Sequence, residues 1–155
     1  MSVFIHATAL IVGERAVLIR GASGTGKTGL AWALLSLGGQ GGQFVRLVGD
    51  DRVKLEAHNG RLVVSPHPKI AGKIEQRGVG ILGTSFETAA IVGLVIDLTG
   101  CQPEAARLPP ETEKTIILHG IALPRLAIST GLGEMDRARL VLSSLHPHFP
   151  TLYPT

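Results

Sequence analysis

The feature that most constrains this 155-residue chain is a segment that matches the phosphate-loop pattern, Gly21-Ala22-Ser23-Gly24-Thr25-Gly26-Lys27-Thr28. Glycines in this pattern let the backbone curl so that successive N–H groups point at phosphate oxygens. Lys27 can then reach the outer phosphates, and the Thr28 hydroxyl can bind Mg²⁺. The segment therefore predicts a site for a nucleoside triphosphate.

The residues on either side of this segment support the prediction. Residues 16–20 form an apolar run typical of a buried strand, and residues 29–37 are rich in strong helix formers. A phosphate loop requires this order, because the N-terminus of the helix favours bound anions. A glycine-rich turn that matches by chance is the alternative, and the flanking strand and helix argue against it.

Composition bounds the class of protein. The length predicts one domain over residues 1–155, with enough apolar residues for a core. The net charge is +3 and no run of like charge occurs, so we expect no nucleic-acid partner. The single cysteine, Cys101, cannot form a disulfide within the chain, which favours a reduced, cytoplasmic setting. Residues 1–13 lack a cationic segment and no apolar run reaches membrane-spanning length, so we expect neither a signal peptide nor a membrane partner.

The fold class expected is α/β with a mixed sheet. Residues 7–12 and 16–20 predict an antiparallel pair, and Asn59-Gly60 between alternating segments predicts a hairpin, because both residues tolerate positive φ. Such an early hairpin is unusual in a purely parallel nucleotide fold. Further strands are expected at 44–48, 89–98, 115–118 and 126–129, helical structure at 70–76 and 136–145, and loops at 38–43, 77–81, 100–113 and from 146 onward.

Three acidic positions could supply the carboxylate that phosphoryl transfer uses to orient or deprotonate the nucleophile. Asp50-Asp51 ends what reads as a central strand, where ligands bind in open α/β sheets, although such a pair can also start a turn. Asp97 follows three apolar residues, like the acidic residue of a Walker B strand, but many buried strands end this way. Glu75 lies beside a glycine-rich turn and, on composition alone, reads as a solvated charge.

Basic and imidazole side chains indicate the site less specifically than these carboxylates do. His6 lies on the first predicted strand, where it could act near a phosphate or simply pack. Arg107 and Arg125 could each neutralise a transferred phosphoryl group, and each is by base rate a surface charge.

Taken in order, these residues resemble the catalytic domain of HPr kinase/phosphorylase, a bacterial enzyme that phosphorylates a serine of the sugar-phosphotransferase carrier HPr. The resemblance runs from His6, fifteen residues before Gly21, to about Leu126. Residues 21–28 match the family's phosphate loop, residues 47–53 resemble its Leu-Val-Ala-Asp-Asp strand end, and residues 74–81 resemble its Ile/Leu-Glu-x-Arg-Gly-x-Gly-Ile signature. Arg107-Leu108 looks like the start of its Arg-Leu-Gly element.

The resemblance implies roles that spacing alone does not assign. Asp50 would be the general base toward the HPr serine and the general acid in the reverse reaction, Thr28 and Glu75 would bind Mg²⁺, and Lys27 and Arg107 would neutralise the phosphoryl group of ATP. His6 would lie close to the phosphates. The family fold is related to that of phosphoenolpyruvate carboxykinase, which agrees with the early hairpin, and in it Asp97 would be an ordinary strand-end residue.

The chain also departs from the family pattern. It resembles the short form of alphaproteobacteria that lacks the usual N-terminal domain, and its segment 38–43 lengthens the connection to Asp50. The family's Pro-Val-Arg-Pro-Gly-Arg-Asn element falls at residues 126–133, where both arginines are missing. The resemblance therefore implies kinase chemistry and leaves phosphorylase activity and a homo-oligomeric state open. A small-molecule kinase with the same loop, or a nucleotide sensor without catalysis, is the alternative.

Overall fold

The computed structural model describes residues 2–99, 110 and 112–145 of the chain. Eleven strands and two helices are formed by these residues. The elements are β1 (Ser2–His6), β2 (Thr8–Val12), β3 (Arg15–Arg20), α1 (Lys27–Gln40), β4 (Val45–Gly49), β5 (Arg52–His58), β6 (Arg61–Pro66), β7 (Lys73–Gln76), β8 (Gly80–Gly83), β9 (Ala90–Thr99), β10 (Thr115–Leu118), β11 (Ile121–Ser129) and α2 (Glu134–Leu145).

Nine of the strands form one mixed sheet: seven lie in the order β1-β5-β6-β9-β3-β2-β4, and β10 and β11 lie off this path. The long strand β9 lies at the centre of this sheet. On one side it pairs in parallel with β3, and on the other side it pairs antiparallel with β6 and, farther along the strand, in parallel with β11. β10 pairs with β11, and β7 and β8 form a separate two-stranded sheet. The predicted mixed α/β class is confirmed.

Each face of the sheet is covered differently. Alternate residues of β2, β3 and β9, such as Leu10, Ile19 and Ile96, form one core with the apolar sides of α1 and α2. The opposite face, which includes Leu18 and Val95, packs with the β5–β6 hairpin. Alternation along a strand sends successive side chains to opposite faces, so apolar residues at consecutive positions of β3 supply both cores.

The local turn signals are confirmed. β2 and β3 pair in an antiparallel register that aligns Thr8 with Ile19 and Val12 with Arg15. Asn59 and Gly60 connect β5 to β6 with φ values of 51° and 74°, as the hairpin prediction requires. The strands predicted at 44–48, 89–98 and 115–118 and the helix at 136–145 are also present, with ends displaced by a few residues.

Four sequence expectations about these elements are wrong. Residues 73–76 form β7 rather than helical turns, and residues 80 and 81 begin β8 rather than a loop. Helix α1 continues through Gly38 to Gln40, because the missing side chain of Gly38 lets Val45 of β4 pack directly on the helix. Strand β4, which precedes Asp50, is an edge strand of the sheet and not a central one. Its Leu47 and Val48 are nevertheless buried, one in each core. The apolar sequence of β4 is for this reason similar to that of a central strand.

A buried ion cluster joins the three parallel strands. Asp97 of β9 has no exposed surface, and both of its carboxylate oxygens accept hydrogen bonds from the Arg20 guanidinium at 2.8 Å. Arg125 of β11 is also buried, and its Nε donates to the same carboxylate while Nη1 donates to the carbonyls of Pro110 and Glu113. The surface interpretation of Arg125 is therefore wrong, and Asp97 has a structural partner at each oxygen.

This cluster predicts a large difference between two carboxylate substitutions. Asp97→Asn leaves two guanidinium groups without their anion in a buried site, so we expect it to lower the free energy of unfolding by about 3–5 kcal/mol. Asp136→Asn removes an exposed pair with Arg139 and should change it by about 0.5 kcal/mol or less. Urea denaturation of both variants measures the difference, and an Asp97→Asn loss as small as that of Asp136→Asn would contradict the structural assignment.

Candidate functional site

The phosphate loop connects β3 to α1, as its sequence predicts. Gly24 and Gly26 adopt positive φ values of 85° and 97°, and Gly26 caps the helix by accepting the first helical hydrogen bond, from Leu30. The Thr25 hydroxyl donates to the Ala22 carbonyl at 2.7 Å. The loop is thereby closed on its carbonyl side, and the start of α1 supplies the N–H groups that favour an anion.

Lys27 lies within the curve of the loop and is only 8% exposed. Its Nζ donates to the Gly21 and Ala22 carbonyls at 2.9 and 3.3 Å. Burial lowers the pKa of Lys27 from its ordinary value because the charged ammonium loses water, and the nearby carboxylates of Asp51 and Asp50 offset this only in part. In the protein alone, keeping the Lys27 ammonium charged at this buried position therefore costs free energy of desolvation.

Asp50 is the point at which the elements of the site meet. Its Oδ1 accepts hydrogen bonds from the hydroxyls of Thr8 and Thr28, at 2.9 and 2.8 Å, and its Oδ2 accepts one from the Glu75 N–H at 3.2 Å. These donors belong to β2, α1 and β7. The carboxylate is 5% exposed, so its orientation is fixed from three sides.

Asp51 has a left-handed backbone, with φ of 69°, which is uncommon outside glycine although Asp tolerates it better than most residues. Its N–H donates to the Thr8 hydroxyl at 3.2 Å, and its carbonyl accepts the Ala7 N–H at 3.1 Å. The turn points the two neighbouring carboxylates in different directions: Asp50 inward and Asp51 toward solvent. His6, exposed at the end of β1, pairs in register with Arg52 and so lies beside this turn.

Glu75 is positioned through its main chain. Its N–H is held by Asp50, and its carbonyl accepts a hydrogen bond from the indole Nε1 of Trp32 at 2.7 Å. The side chain of Glu75 is exposed and faces the phosphate loop across a cavity of about 490 Å³. β7 is therefore fixed by two polar contacts, one with α1 and one with Asp50 after β4, and neither is visible in its own sequence.

The cavity brings together six of the twelve predicted site residues, Ser23, Gly24, Gly26, Lys27, Thr28 and Glu75. It is lined by Ser23, Gly24, Gly26, Lys27, Thr28, Gly29, Trp32, Asp51, Glu75, Gln76, Arg77 and Glu134. Asp50 lies beneath this lining in contact with Thr28, whereas His6 is beside the Asp51 turn and not part of the lining. Arg107, the predicted cation, lies outside the described residues.

Sequence reasoning gave no site role to five lining residues, Gly29, Trp32, Gln76, Arg77 and Glu134. Trp32 is four residues after Thr28 on α1, a spacing that places both side chains on one side of the helix and could have found it. Glu134 comes from the start of α2, and a methyl group at Gly29 would overlap its carboxylate. Nothing local in the sequence predicts that approach, because it depends on how α2 packs on α1.

A match to a known family agrees with this site. The family model described as the HPr Serine kinase C-terminal domain matches residues 1–135, which is most of the chain and includes every cavity residue. The chain belongs to this family. The resemblance drawn from the motifs is confirmed.

Relatives of the HPr serine kinase C-terminal domain family match over the same region. The HPr kinase/phosphorylase of Geobacillus thermodenitrificans is 37% identical over 140 residues, covering 84% of this chain and 43% of the relative. That of Lactobacillus delbrueckii subsp. bulgaricus is 34% identical, covering 84% and 42%. The chain thus spans less than half the length of these curated relatives.

A solved structure shares the fold. The HPr(Ser) kinase/phosphatase from Coxiella burnetii superposes with a TM-score of 0.72 at 26% identity, covering 96% of this chain and 97% of that one. The mixed sheet with an early hairpin is therefore the architecture of this family. Among the described residues, no helix is long and apolar enough to cross a membrane.

The buried Lys27 predicts a specific pH dependence. Because its pKa in the folded protein lies below the ordinary value of 10.5, the unfolded chain binds more protons in the interval between the two values. Stability rises with pH wherever the unfolded state binds more protons. We therefore expect the free energy of unfolding of the wild-type protein, minus that of Lys27→Met, to increase from neutral pH to about pH 10.

Denaturation of both proteins at a series of pH values measures this difference, in which the other titrating groups cancel. Lys114→Met, a change at an exposed lysine, measures the effect of removing a positive charge as such. A difference between wild type and Lys27→Met that stays constant or falls with pH would contradict the account of Lys27.

Proposed function

We propose that this chain transfers the outer phosphoryl group of ATP, bound with Mg²⁺, to a serine of HPr or of an HPr-like carrier protein in the cytoplasm. The observation that carries the proposal is the hydrogen bond between Thr28 of the phosphate loop and the buried Asp50 carboxylate. It joins the nucleotide-binding element to a potential general base in one rigid unit. Family membership and the names of the relatives support the same reaction.

The residues around the cavity fit a magnesium nucleotide. Mg²⁺ prefers oxygen ligands and is commonly held by one or two carboxylates together with substrate phosphates, so a complete cage of protein ligands is not required. The Thr28 hydroxyl donates a hydrogen bond to Asp50, so the lone pairs of the Thr28 oxygen are available to a cation. Glu75 faces Thr28 across the cavity and would supply the carboxylate. When bound, Mg²⁺ would neutralise charge on the phosphates.

Lys27 and the start of α1 would stabilise the transferred phosphoryl group. In the structure Lys27 Nζ donates to two loop carbonyls, and a phosphate oxygen is a stronger, charged acceptor for the same ammonium. Because burial disfavours the free cation, pairing with phosphate recovers part of the desolvation cost. Arg107 is proposed as a second cation, and His6 as a residue near the phosphates on account of its place beside Asp51.

Asp50 is proposed as the general base that takes the proton of the acceptor serine, and as the general acid when the reaction runs in reverse. Three donors hold its carboxylate in one orientation, so no rotation is needed as the proton moves. Oδ2 accepts only the longer of these hydrogen bonds, at 3.2 Å, which leaves it as the oxygen with acceptor capacity for the substrate hydroxyl. Assembly into a homo-oligomer stays a prediction.

A transfer assay tests the function directly. The chain is incubated with labelled ATP and Mg²⁺ and, in separate reactions, with purified HPr and with an HPr-like carrier, beside an HPr kinase of known activity; we expect label on a serine of one of these carriers. A second arm offers phosphorylated HPr and inorganic phosphate to detect the reverse reaction. Absence of label while the control enzyme is active would refute the proposal.

Nucleotide binding is measured alongside through the emission of Trp32, which lines the cavity and is the one tryptophan of the chain. Binding without transfer to any acceptor would instead identify a nucleotide sensor. Transfer to a small molecule but to neither carrier would identify a metabolite kinase with the same loop.

The role of Asp50 gives a quantitative prediction. We expect Asp50→Asn to lower turnover by roughly 10²- to 10⁴-fold, the range associated with loss of general acid–base catalysis, while ATP still binds. Asp51→Asn is the matched control, because it changes the adjacent, exposed carboxylate in the same way. Unchanged turnover in Asp50→Asn together with a large loss in Asp51→Asn would move the base to Asp51.

A further inference from the structure

Arg137 on α2 contacts the phosphate loop from behind. The residue is 8% exposed, and all three of its described side-chain hydrogen bonds go to main-chain carbonyls. Nη1 donates to Thr25 at 3.0 Å, Nη2 to Thr130 at 3.2 Å and Nε to Leu132 at 2.7 Å. One guanidinium therefore joins the phosphate loop to the segment that precedes α2.

The approach depends on a glycine. A Cβ at Gly26 would lie 2.7 Å from Nη1 of Arg137, and the φ of Gly26 is 97°, so a side chain here would be strained and would collide with the guanidinium. Gly26 thus does more than allow the loop to curl. It leaves the space through which a cation reaches the loop.

The hydrogen bond from Arg137 to the Thr25 carbonyl affects the N–H groups on the side of the phosphate loop that would bind phosphate. Thr25 and Gly26 share one peptide group, whose carbonyl accepts from Arg137 and whose N–H belongs to Gly26. A charge-assisted hydrogen bond at the carbonyl fixes the plane of this peptide and polarises it, which makes the N–H at its other end a better donor. Lys27 contacts the Gly21 and Ala22 carbonyls in the same manner, so cations hold both ends of the loop.

We infer that Arg137 is a positioning residue for nucleotide binding: it orients and polarises the Thr25–Gly26 peptide and couples the phosphate loop to residues 130–133. The inference rests on the proposed function only in that the loop binds nucleotide phosphates. It assigns a role to α2 that neither the motif nor the cavity lining reveals. A shift of α2 or of residues 130–133 would be transmitted to the loop through this side chain.

The test compares two arginines of the same helix. We expect Arg137→Ala to weaken the affinity for Mg-ATP and for Mg-pyrophosphate about 10- to 100-fold, since a charge-assisted bond and the loop's orientation are both lost. Arg139→Ala removes an exposed guanidinium whose described partner is Asp136, and should bind as the wild type does. Trp32 emission gives the affinities, and thermal unfolding checks that each variant is folded.

Two further measurements separate positioning from mere support of the fold. Guanidinium ion added to Arg137→Ala, well below denaturing concentrations, should restore part of the affinity, whereas urea at the same concentration should not. In ¹⁵N-labelled protein, the Gly26 amide resonance should move upfield in Arg137→Met, which keeps an extended side chain but has no donor for the Thr25 carbonyl. In the wild type, the Arg137 Nε–H resonance should shift when pyrophosphate binds.

Wild-type affinity in a folded Arg137→Ala would overturn the inference, and an unmoved Gly26 amide in Arg137→Met would do so even if the alanine variant does not fold. Wild-type binding of ATP without transfer to either carrier refutes the proposed function and leaves the role of Arg137 standing. Failure of the wild type to bind either ligand overturns both.

Discussion

The buried carboxylate of Asp97 is the interaction on which this structure depends most. It lies between two guanidinium groups, from Arg20 and Arg125, and each arginine belongs to a strand that flanks β9. An isolated charge at such a site would be prohibitively costly, and only a set of well-directed hydrogen bonds repays its desolvation. Because Arg20 immediately precedes Gly21, the pair also fixes the point from which the phosphate loop departs.

Asp50 extends this rigidity from the sheet into the cavity. Its three donors come from a strand of the main sheet, from the first turn of α1 and from the small β7–β8 sheet. Without this carboxylate the β7–β8 hairpin would be held near the loop chiefly by Ile74 in the core and by the indole of Trp32. Because the proposed catalytic carboxylate is held by three secondary-structure elements, its position is as well defined as the fold itself. A carboxylate on a flexible loop would be positioned less precisely.

Local patterns predicted the parts of the molecule whose conformation is decided locally. The phosphate loop, the β2–β3 pair and the Asn59-Gly60 hairpin follow from glycine chemistry and from apolar runs, and the structure has all of them. From the order of its motifs the chain could also be assigned to a family.

Features decided by distant partners were missed. The four residues of β7 are too few to show a period, and their strand conformation comes from pairing with β8 and from the contacts of the Glu75 main chain with Asp50 and Trp32. In the sequence, Arg125 cannot be distinguished from a surface arginine. Its contact with Asp97 depends on the pairing of β11 with β9, which no local pattern predicts. Arg137 gives no sequence signal either, because its acceptors are backbone carbonyls, which every sequence contains.

The contact between Gly29 and Glu134 has a consequence for how this site can change over time. A side chain at position 29 and a carboxylate at position 134 compete for the same volume, although one belongs to α1 and the other to α2. A sequence that gains a residue larger than glycine at the first position must shorten or redirect the second. A side chain at position 29 can therefore be accommodated without a second substitution only if the Glu134 side chain turns away, and its carboxylate then no longer lines this wall of the cavity.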